Sequence, residues 1–309
     1  MSRRAESPRR YRAAVVGAAL GAVLALALLL PLPARAALPR AASVPGGVAL
    51  VPLGPAAGAA VPPRAWLGEQ PVLVTRRGGE WIAVVGLALD TQPGTHELRV
   101  QPPAQEAVGL PALADPATAT GRASFTVRAK DYPAQRITLK DSSKVELSAD
   151  DLARATSEIA EIRRLQRHWR AADDNDLDFI LPAEGRLTGR FGLRRFFNGE
   201  ARAPHAGFDI AAARGSPVRA NAQGIVLASG DYFFNGRTVF VDHGNGLLSV
   251  YCHLDRIDVQ PGEAVAKGQR LGLVGMSGRA SGPHLHWGVV LNGALVDPQL
   301  FVAARGDVR

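Results

Sequence analysis

Glycine and proline interrupt the chain at short intervals, and the runs between them alternate apolar and polar residues. The sequence holds 33 glycines and 22 prolines in 309 residues. From Val44 to about Lys140 the runs include GGVALVPL, HELRV and ASFTVRAKDY. Because successive side chains of a strand point to opposite faces of a sheet, this pattern predicts short antiparallel strands. We therefore expect a small β domain over residues 37–145.

A single helix is predicted after this domain. Ser148 is a typical N-cap residue, and the helix is expected to run to about Ala172. Apolar residues follow the cap at helical spacing, at Leu152, Ala155, Ile159, Ile162 and Leu165.

The acidic stretch DDNDLD, at residues 173–178, follows the helix. It lacks the glycine and the terminal glutamate of an EF-hand calcium loop, which favours a solvated linker. Residues 146–180 are therefore predicted to form a helix and an acidic linker.

From Leu181 the chain returns to short β-rich runs with frequent glycine, such as GIVLASG, RTVFVDHG and HLHWGVVLN. Residues 181–309 are predicted to form a second, mostly antiparallel β domain of ordinary size. The expected fold class is mainly β, with one linking helix.

The first 36 residues have the order of a secretory signal peptide. Basic residues come first, then an uncharged run from Ala13 to Leu30, then prolines and the small-residue pattern Ala34-Arg35-Ala36. We expect cleavage after Ala36 and export of the rest. An uncleaved membrane anchor is the alternative, because such a run is just long enough to span a bilayer.

Most of the positive charge lies in this leader. The chain has a formal net charge of +8, and residues 1–36, with six arginines and one glutamate, carry +5 of it. The remaining +3 is too little and too scattered to bind a phosphate backbone, so a nucleic-acid partner is not expected.

Cys252 is the only cysteine, so no disulfide within the chain can stabilise the fold. In the run VYCHL it is expected to be a small buried residue of a strand. A thiol nucleophile assisted by His253 is disfavoured, because neighbouring residues of a strand point to opposite faces.

Five of the seven histidines lie in the predicted C-terminal domain, at positions 205, 243, 253, 284 and 286. His284 and His286 are two apart in a predicted strand, so their side chains are expected on one face, with Leu285 and Trp287 in the core. His243 precedes an Asn-Gly hairpin turn and is left out of the site.

A zinc site is the chemistry that this set favours. Catalytic zinc takes three nitrogen, oxygen or sulfur ligands from the protein and keeps a fourth position open. His205, Asp209 and one of the paired histidines would supply two nitrogens and one oxygen. Gly207 argues against a helical pair at His205 and Asp209, unlike the helical HExxH enzymes.

Together these motifs resemble the lysostaphin-like zinc metallopeptidases, which cut peptidoglycan peptides. The resemblance covers roughly residues 185–301 and rests on HAGFD at 205–209, VYCHLD around His253, GPHLH at 282–286 and FGLR at 191–194.

The resemblance implies that His205, Asp209 and His286 bind one zinc ion. It implies that His253 and His284 are histidines of the metal site that do not bind zinc. We expect both to be catalytic: one takes the water proton, and the other stabilises the oxyanion or hydrogen-bonds the substrate. Which of the two is the base stays open.

The implied function is hydrolysis of peptide cross-links of peptidoglycan in the periplasm or cell envelope, through a metal-activated water. The alternative is a non-hydrolytic cell-wall-binding or amidase-activating module with a vestigial metal site. The expected partner is therefore peptidoglycan peptide, with transient membrane anchoring by the N-terminal segment. Whether the N-terminal domain inhibits or targets the enzyme stays open, as does the oligomeric state.

Overall fold

The computed structural model describes residues 38–56, 61–102, 121–137, 147–173, 175–197, 199–201 and 203–303. The predicted signal peptide lies outside the described residues. From Leu38 onward the described residues form one compact unit. The predicted boundaries near residues 145 and 181 fall inside this unit, so separate folding of the two parts stays a prediction. Within the described residues no helix is long and apolar enough to cross a membrane.

The first region is a barrel-like sheet of six antiparallel strands. The strands are β1 (Val48–Pro55), β2 (Arg64–Leu67), β3 (Gln70–Arg77), β4 (Glu80–Gly86), β5 (Gly94–Gln101) and β6 (Gly121–Val127). In spatial order they run β1, β4, β3, β2, β5 and β6. Alternate residues such as Ala49, Val51, Ala83 and Val85 fill its interior, as the alternating pattern predicts.

Helix α1 (Ala149–Gln166) begins as predicted and ends earlier. Ser148 caps it by accepting a hydrogen bond from the Asp151 N–H, and Arg167 ends it, about one and a half turns before Ala172. The predicted apolar face is wrong in part, because Leu152 and Ile159 are exposed by 56% and 37%. Only part of this stripe packs against the sheets.

The predicted solvated linker is also packed against the protein. Leu177 and Phe179 are almost fully buried, and Asn175 is 7% exposed. The Asn175 side-chain amide donates to the carbonyl oxygens of His243 and Gly244 at 2.7 and 3.1 Å. We call residues 175–179 the strap. The apolar and amide side chains of the strap face the protein interior, and its acidic residues lie between them.

The second region is a ten-stranded sheet, and its paired strands are antiparallel, as predicted. The strands are β8 (Arg186–Gly189), β11 (Phe208–Ala211), β12 (Pro217–Arg219), β13 (Gly224–Tyr232), β14 (Gly236–Gly244), β15 (Leu247–Ile257), β16 (Ala264–Val265), β17 (Arg270–Val274), β18 (His284–Leu291) and β19 (Ala294–Val296). The central order of the sheet is β16, β13, β14, β15, β18, β11 and β8, and β12, β17 and β19 pair beside it. A 3-10 helix, Pro298–Phe301, follows.

A small third sheet joins the two regions. Strand β7 (Ala134–Ile137) pairs in parallel with β9 (Arg194–Phe197), and β9 pairs with β10 (Glu200–Ala201). The run QRITL predicts a strand here, but its pairing with β9 was not predicted, because an alternating pattern does not identify a partner far away in the sequence.

The two larger sheets share a core and a specific polar contact. Val48, Leu73 and Val84 of the first sheet belong to the same buried cluster as Leu291 of the second. The Asn292 side chain accepts a hydrogen bond from the Gly86 N–H at 2.6 Å and donates to the Gly86 carbonyl at 3.0 Å. This buried amide satisfies both backbone groups of Gly86 across the interface.

Asn292→Gly should lower the free energy of unfolding by about 1–3 kcal/mol, because it leaves the two Gly86 groups buried without partners. Glycine suits the left-handed backbone at this position, where φ is +42°, so the loss reports the amide contact rather than strain. Urea unfolding measures it, and an unchanged midpoint and slope would contradict the role of this contact.

A buried polar chain runs through the second region. His243 lies between the Gln223 carbonyl, 2.6 Å from Nδ1, and the Ser249 hydroxyl, 2.8 Å from Nε2. The Ser249 hydroxyl contacts Tyr251, whose hydroxyl donates to Asn221. Burial lowers the pKa of His243 below its ordinary value and outweighs the opposing effects of the Gln223 carbonyl and Asp242.

His243 should therefore make the metal-free protein less stable as the pH falls below about 6.5. The unfolded chain takes up a proton there that the folded chain refuses, so the free energy of unfolding decreases with falling pH. His243→Asn should reduce this slope by up to about 1.4 kcal/mol per pH unit. Urea unfolding of both proteins at pH 5–8 with a chelator measures the slopes, and equal slopes would refute the assignment.

Candidate metal centre

Three side-chain atoms converge at one end of the second region. His205 Nε2 lies 3.0 Å from Asp209 Oδ1 and 3.0 Å from His286 Nδ1, and the last two atoms are 2.9 Å apart. Within the described part of the chain these residues form the one group of three or more that could hold a metal ion. The family resemblance of the sequence implied the same three residues.

Strand register brings two of the three together. Strands β11 and β18 are antiparallel neighbours, and Asp209 lies directly opposite His286. Leu285 and Trp287, on either side of His286, are fully buried. As predicted, they point into the core, while His284 and His286 share the other face. His205 comes from the irregular segment before β11.

The hydrogen bonds of His205 fix which of its nitrogens can bind a metal. Nδ1 lies 3.0 Å from the Arg190 carbonyl oxygen. A carbonyl can only accept, so this contact places a proton on Nδ1 and leaves Nε2 as the nitrogen of His205 that can bind a cation between Asp209 and His286. A cation placed among these three atoms would satisfy all of them at once, and the residues therefore fit a metal with nitrogen and oxygen ligands.

The charge states of the ligands also suit a cation. Burial by itself would raise the pKa of Asp209, but the hydrogen bonds and charges of His205 and His286 outweigh it and hold that pKa well below its usual range. Burial lowers the pKa of His286, against the opposing effect of Asp209. Asp209 is therefore ionised near neutral pH, which is the state in which a carboxylate binds a cation.

Two glycines make room for the ligands. A Cβ on Gly207 would lie 2.5 Å from two atoms of the His286 ring, and one on Gly189 would lie 2.1 Å from Asp209 Oδ2. Gly207, singled out in the sequence for breaking a helix, is thus also required by the close approach of His286. Gly189 was not predicted, because glycine is common at strand ends whether or not a ligand lies nearby.

His253 and His284 stand beside the three ligands. Their ring centroids are 4.7 Å apart, and His253 is 6.0 Å from the His286 ring. Nδ1 of His253 donates to the Ser277 carbonyl at 2.9 Å, and Nδ1 of His284 donates to the Gly282 carbonyl at 2.8 Å. Both rings therefore keep Nε2 as an acceptor.

His253 is held in an unfavourable backbone conformation. Its φ is +63°, and its N–H donates to the Asn235 carbonyl at 2.8 Å. Left-handed backbone is rare for a non-glycine residue and concentrates at functional sites. Burial lowers the pKa of this imidazole to about 4, so it is neutral at neutral pH. No sequence signal reveals this strain.

Cys252 and His243 lie outside the centre, as the sequence predicted. Burial raises the pKa of the Cys252 thiol to about 12, and its side chain is 1% exposed, in a cluster with Phe240 and Val290. His243 precedes a turn in which Asn245 and Gly246 both have positive φ. These environments account for both residues without a catalytic role.

Two family models match the chain. The model described as Peptidase family M23 matches residues 203–298, and the Peptidase family M23 N-terminal domain matches residues 41–110. The first match contains all five histidine and aspartate residues of the centre.

Among the curated relatives, two are similar to a little more than a third of this chain. One is peptidoglycan DD-endopeptidase ShyA of Vibrio cholerae, 38% identical over 120 residues, which are 38% of this chain and 28% of that protein. Another is the DD-carboxypeptidase/endopeptidase Mpg of Neisseria meningitidis, 37% identical over 113 residues, which are 37% of this chain and 26% of that protein. The matched segment thus spans about a quarter of each curated relative.

A solved structure of similar length is similar to most of the chain. It is the crystal structure of a putative peptidase M23 from Pseudomonas aeruginosa, 40% identical, with a TM-score of 0.67. The match covers 84% of this chain and 95% of that one. With both family models matched in order and the metal-ligand set intact, this chain belongs to peptidase family M23.

Proposed function

We propose that this protein is a zinc metalloendopeptidase that hydrolyses peptide cross-links of bacterial peptidoglycan. The observation that carries the proposal is the convergence of His205 Nε2, Asp209 Oδ1 and His286 Nδ1 at 2.9–3.0 Å, with two further histidines beside them. A metal-dependent hydrolase needs three such ligands and a proton-transferring group beside them.

Zinc fits this centre better than calcium or magnesium. Two imidazole nitrogens and one carboxylate oxygen suit zinc, whereas calcium and magnesium prefer oxygen ligands alone. Three protein ligands also leave a fourth position open for water or substrate. When bound, zinc in such a site polarises a carbonyl and lowers the pKa of a coordinated water to about 7.

His253 and His284 are the candidates for transferring the proton of the attacking water. Each holds its Nδ1 proton on a backbone carbonyl, so its Nε2 can accept a proton from the attacking water. The histidine that takes it becomes a donor and can return the proton to the leaving amine. The other, when it carries a proton on Nε2 as well, can donate a hydrogen bond to the oxyanion or to the substrate. The low pKa of His253 keeps this residue neutral, the state that an acceptor requires.

The names of the curated relatives support the substrate class. ShyA is a peptidoglycan DD-endopeptidase, and Mpg is a DD-carboxypeptidase/endopeptidase. We propose that this chain likewise cleaves the D-alanyl cross-link, in the periplasm or cell envelope. The basic and apolar order of residues 1–36 supports export.

The test is turnover of purified cross-linked muropeptide dimers by the protein from Ala37 onward, with products identified by mass spectrometry. Monomers should appear with zinc, disappear with a chelator and return when zinc is restored. A folded, zinc-loaded protein that leaves dimers intact would instead favour the non-hydrolytic wall-binding or amidase-activating alternative.

The roles of the paired histidines can be separated by substitution. His286→Ala should lose both zinc and turnover, because it removes a ligand. His284→Ala should keep most of its zinc while turnover falls about 100- to 10,000-fold, the range for a lost proton-transfer group. Metal analysis after dialysis and the muropeptide assay measure the two effects.

Cys252→Ala is the control for this pair, because it changes a buried neighbour of the centre without removing a site residue. It should keep both zinc and nearly full turnover. Equal zinc loss in the two histidine variants would show that the pair is misassigned, and loss of turnover in the cysteine variant would restore the thiol hypothesis.

A further inference from the structure

One short segment holds the metal-ligand candidate His205 through three hydrogen bonds. We call residues 190–193 the His205 loop. The Gly192 N–H donates to the His205 carbonyl at 2.8 Å, and the His205 N–H donates to the Leu193 carbonyl at 3.0 Å. The Arg190 carbonyl accepts from His205 Nδ1 at 3.0 Å. The loop therefore fixes both the backbone and the ring of His205.

Tyr132 packs against this loop. A Cβ on Gly192 would lie 2.0 and 2.1 Å from two atoms of the Tyr132 ring, so the glycine backbone is in direct contact with the ring. The Tyr132 and Phe191 rings meet edge to face, with centroids 6.3 Å apart. Gly192 has φ +81°, a conformation that glycine adopts without strain.

Tyr132 is itself anchored in the N-terminal part of the chain. Its hydroxyl donates to the Pro45 carbonyl at 2.7 Å. Burial, and then the charge of Asp297, raise the pKa of Tyr132 to about 12, so the hydroxyl keeps its proton. The Lys130 ammonium lies 4.5 Å from the ring centroid.

The backbone beyond Tyr132 extends the same contact. The Arg194 N–H donates to the Pro133 carbonyl at 2.9 Å, and the Arg194 side chain donates to the Tyr132 carbonyl at 3.2 Å. From there β7 and β9 pair in parallel. Tyr132 and the His205 loop both lie outside the two segments that the family models match.

We propose that Tyr132 is a positioning residue for the metal centre, and that its ring keeps the His205 loop in the place that orients the His205 imidazole. The proposal rests on the proposed function in one respect, that His205 binds the metal. Without the ring, the Arg190 carbonyl is free to shift, and the ring orientation and tautomer of His205 are no longer fixed. Groups that orient a ligand in this way typically change metal affinity about 10- to 100-fold.

The first experiment measures zinc affinity by competition with a chromophoric chelator, and the Co²⁺ absorption spectrum, in the protein from Ala37 onward. Tyr132→Leu should weaken zinc binding about 10- to 100-fold and alter the Co²⁺ spectrum. Tyr132→Phe keeps the ring and should restore most of the affinity. Phe125→Leu is the control, because Phe125 is a partly buried aromatic residue that packs against the core of the first sheet and stacks on His96, and none of these contacts involves the loop.

A second pair of variants tests the contact from the other side and does not remove Tyr132. Gly192→Ala places a methyl group against the ring and should weaken zinc binding, because the loop must move. Gly199→Ala is the matched control. Gly199 also has a positive φ, +87°, but among the described residues nothing lies within 4 Å of the position its Cβ would take. Backbone strain is thus common to both variants, and the contact with Tyr132 is not.

The outcomes separate the two proposals. Wild-type zinc affinity in folded Tyr132→Leu, or equal affinities in the two alanine variants, would overturn the positioning role while leaving the metal centre intact. If Tyr132→Leu does not fold, the glycine pair decides by itself. An unmodified protein that binds no zinc would instead overturn the metal centre, and the positioning role with it.

Discussion

The metal centre depends on the register between β11 and β18, because that register alone sets Asp209 opposite His286. A shift of one residue would turn every side chain of a strand to the other face. Fully buried Ile210, Leu285 and Trp287 make such a shift costly, since each would exchange a core position for an exposed one. The hydrophobic core therefore stabilises the fold and fixes the ligands in the same contact.

Backbone carbonyls orient three histidine rings of the metal centre. Arg190, Ser277 and Gly282 each accept the Nδ1 proton of one histidine of the centre. All three carbonyls belong to segments between strands, so loop geometry decides which nitrogen of each ring faces the centre. The chemistry of the site thus depends partly on backbone positions that tolerate many side chains.

The site thus depends partly on strand register and partly on loop backbone, and the sequence could predict only the first of these. Alternation with period two was sufficient to place His284 and His286 on one face, and residue chemistry was sufficient to select His205 and Asp209. Neither says where a carbonyl lies or how a loop approaches a ring. The role of Gly189 could therefore not be predicted.

Packing of weakly patterned segments was the other source of error. Helix α1 was predicted to run too far, and its face was predicted to be buried at Leu152, which is exposed. The strap around Leu177 was expected in solvent because acidic residues surround it, yet Leu177 and Phe179 bury against the second sheet. In both cases tertiary contacts, which local composition does not encode, decide burial.

The left-handed backbone of His253 lowers the stability of the folded protein. A left-handed non-glycine residue is less favourable by about 1–3 kcal/mol, and it persists only where its surroundings fix it. Here the Asn235 carbonyl holds the His253 N–H and the Ser277 carbonyl holds the ring. Relaxing the backbone would return the side chain to the alternation of β15 and move it relative to His284. Cys252, the preceding residue, is buried against the core, so the strand cannot rotate as a whole to relieve the strain. The strain is therefore confined to His253, where it turns the imidazole out of the strand pattern and toward the metal centre.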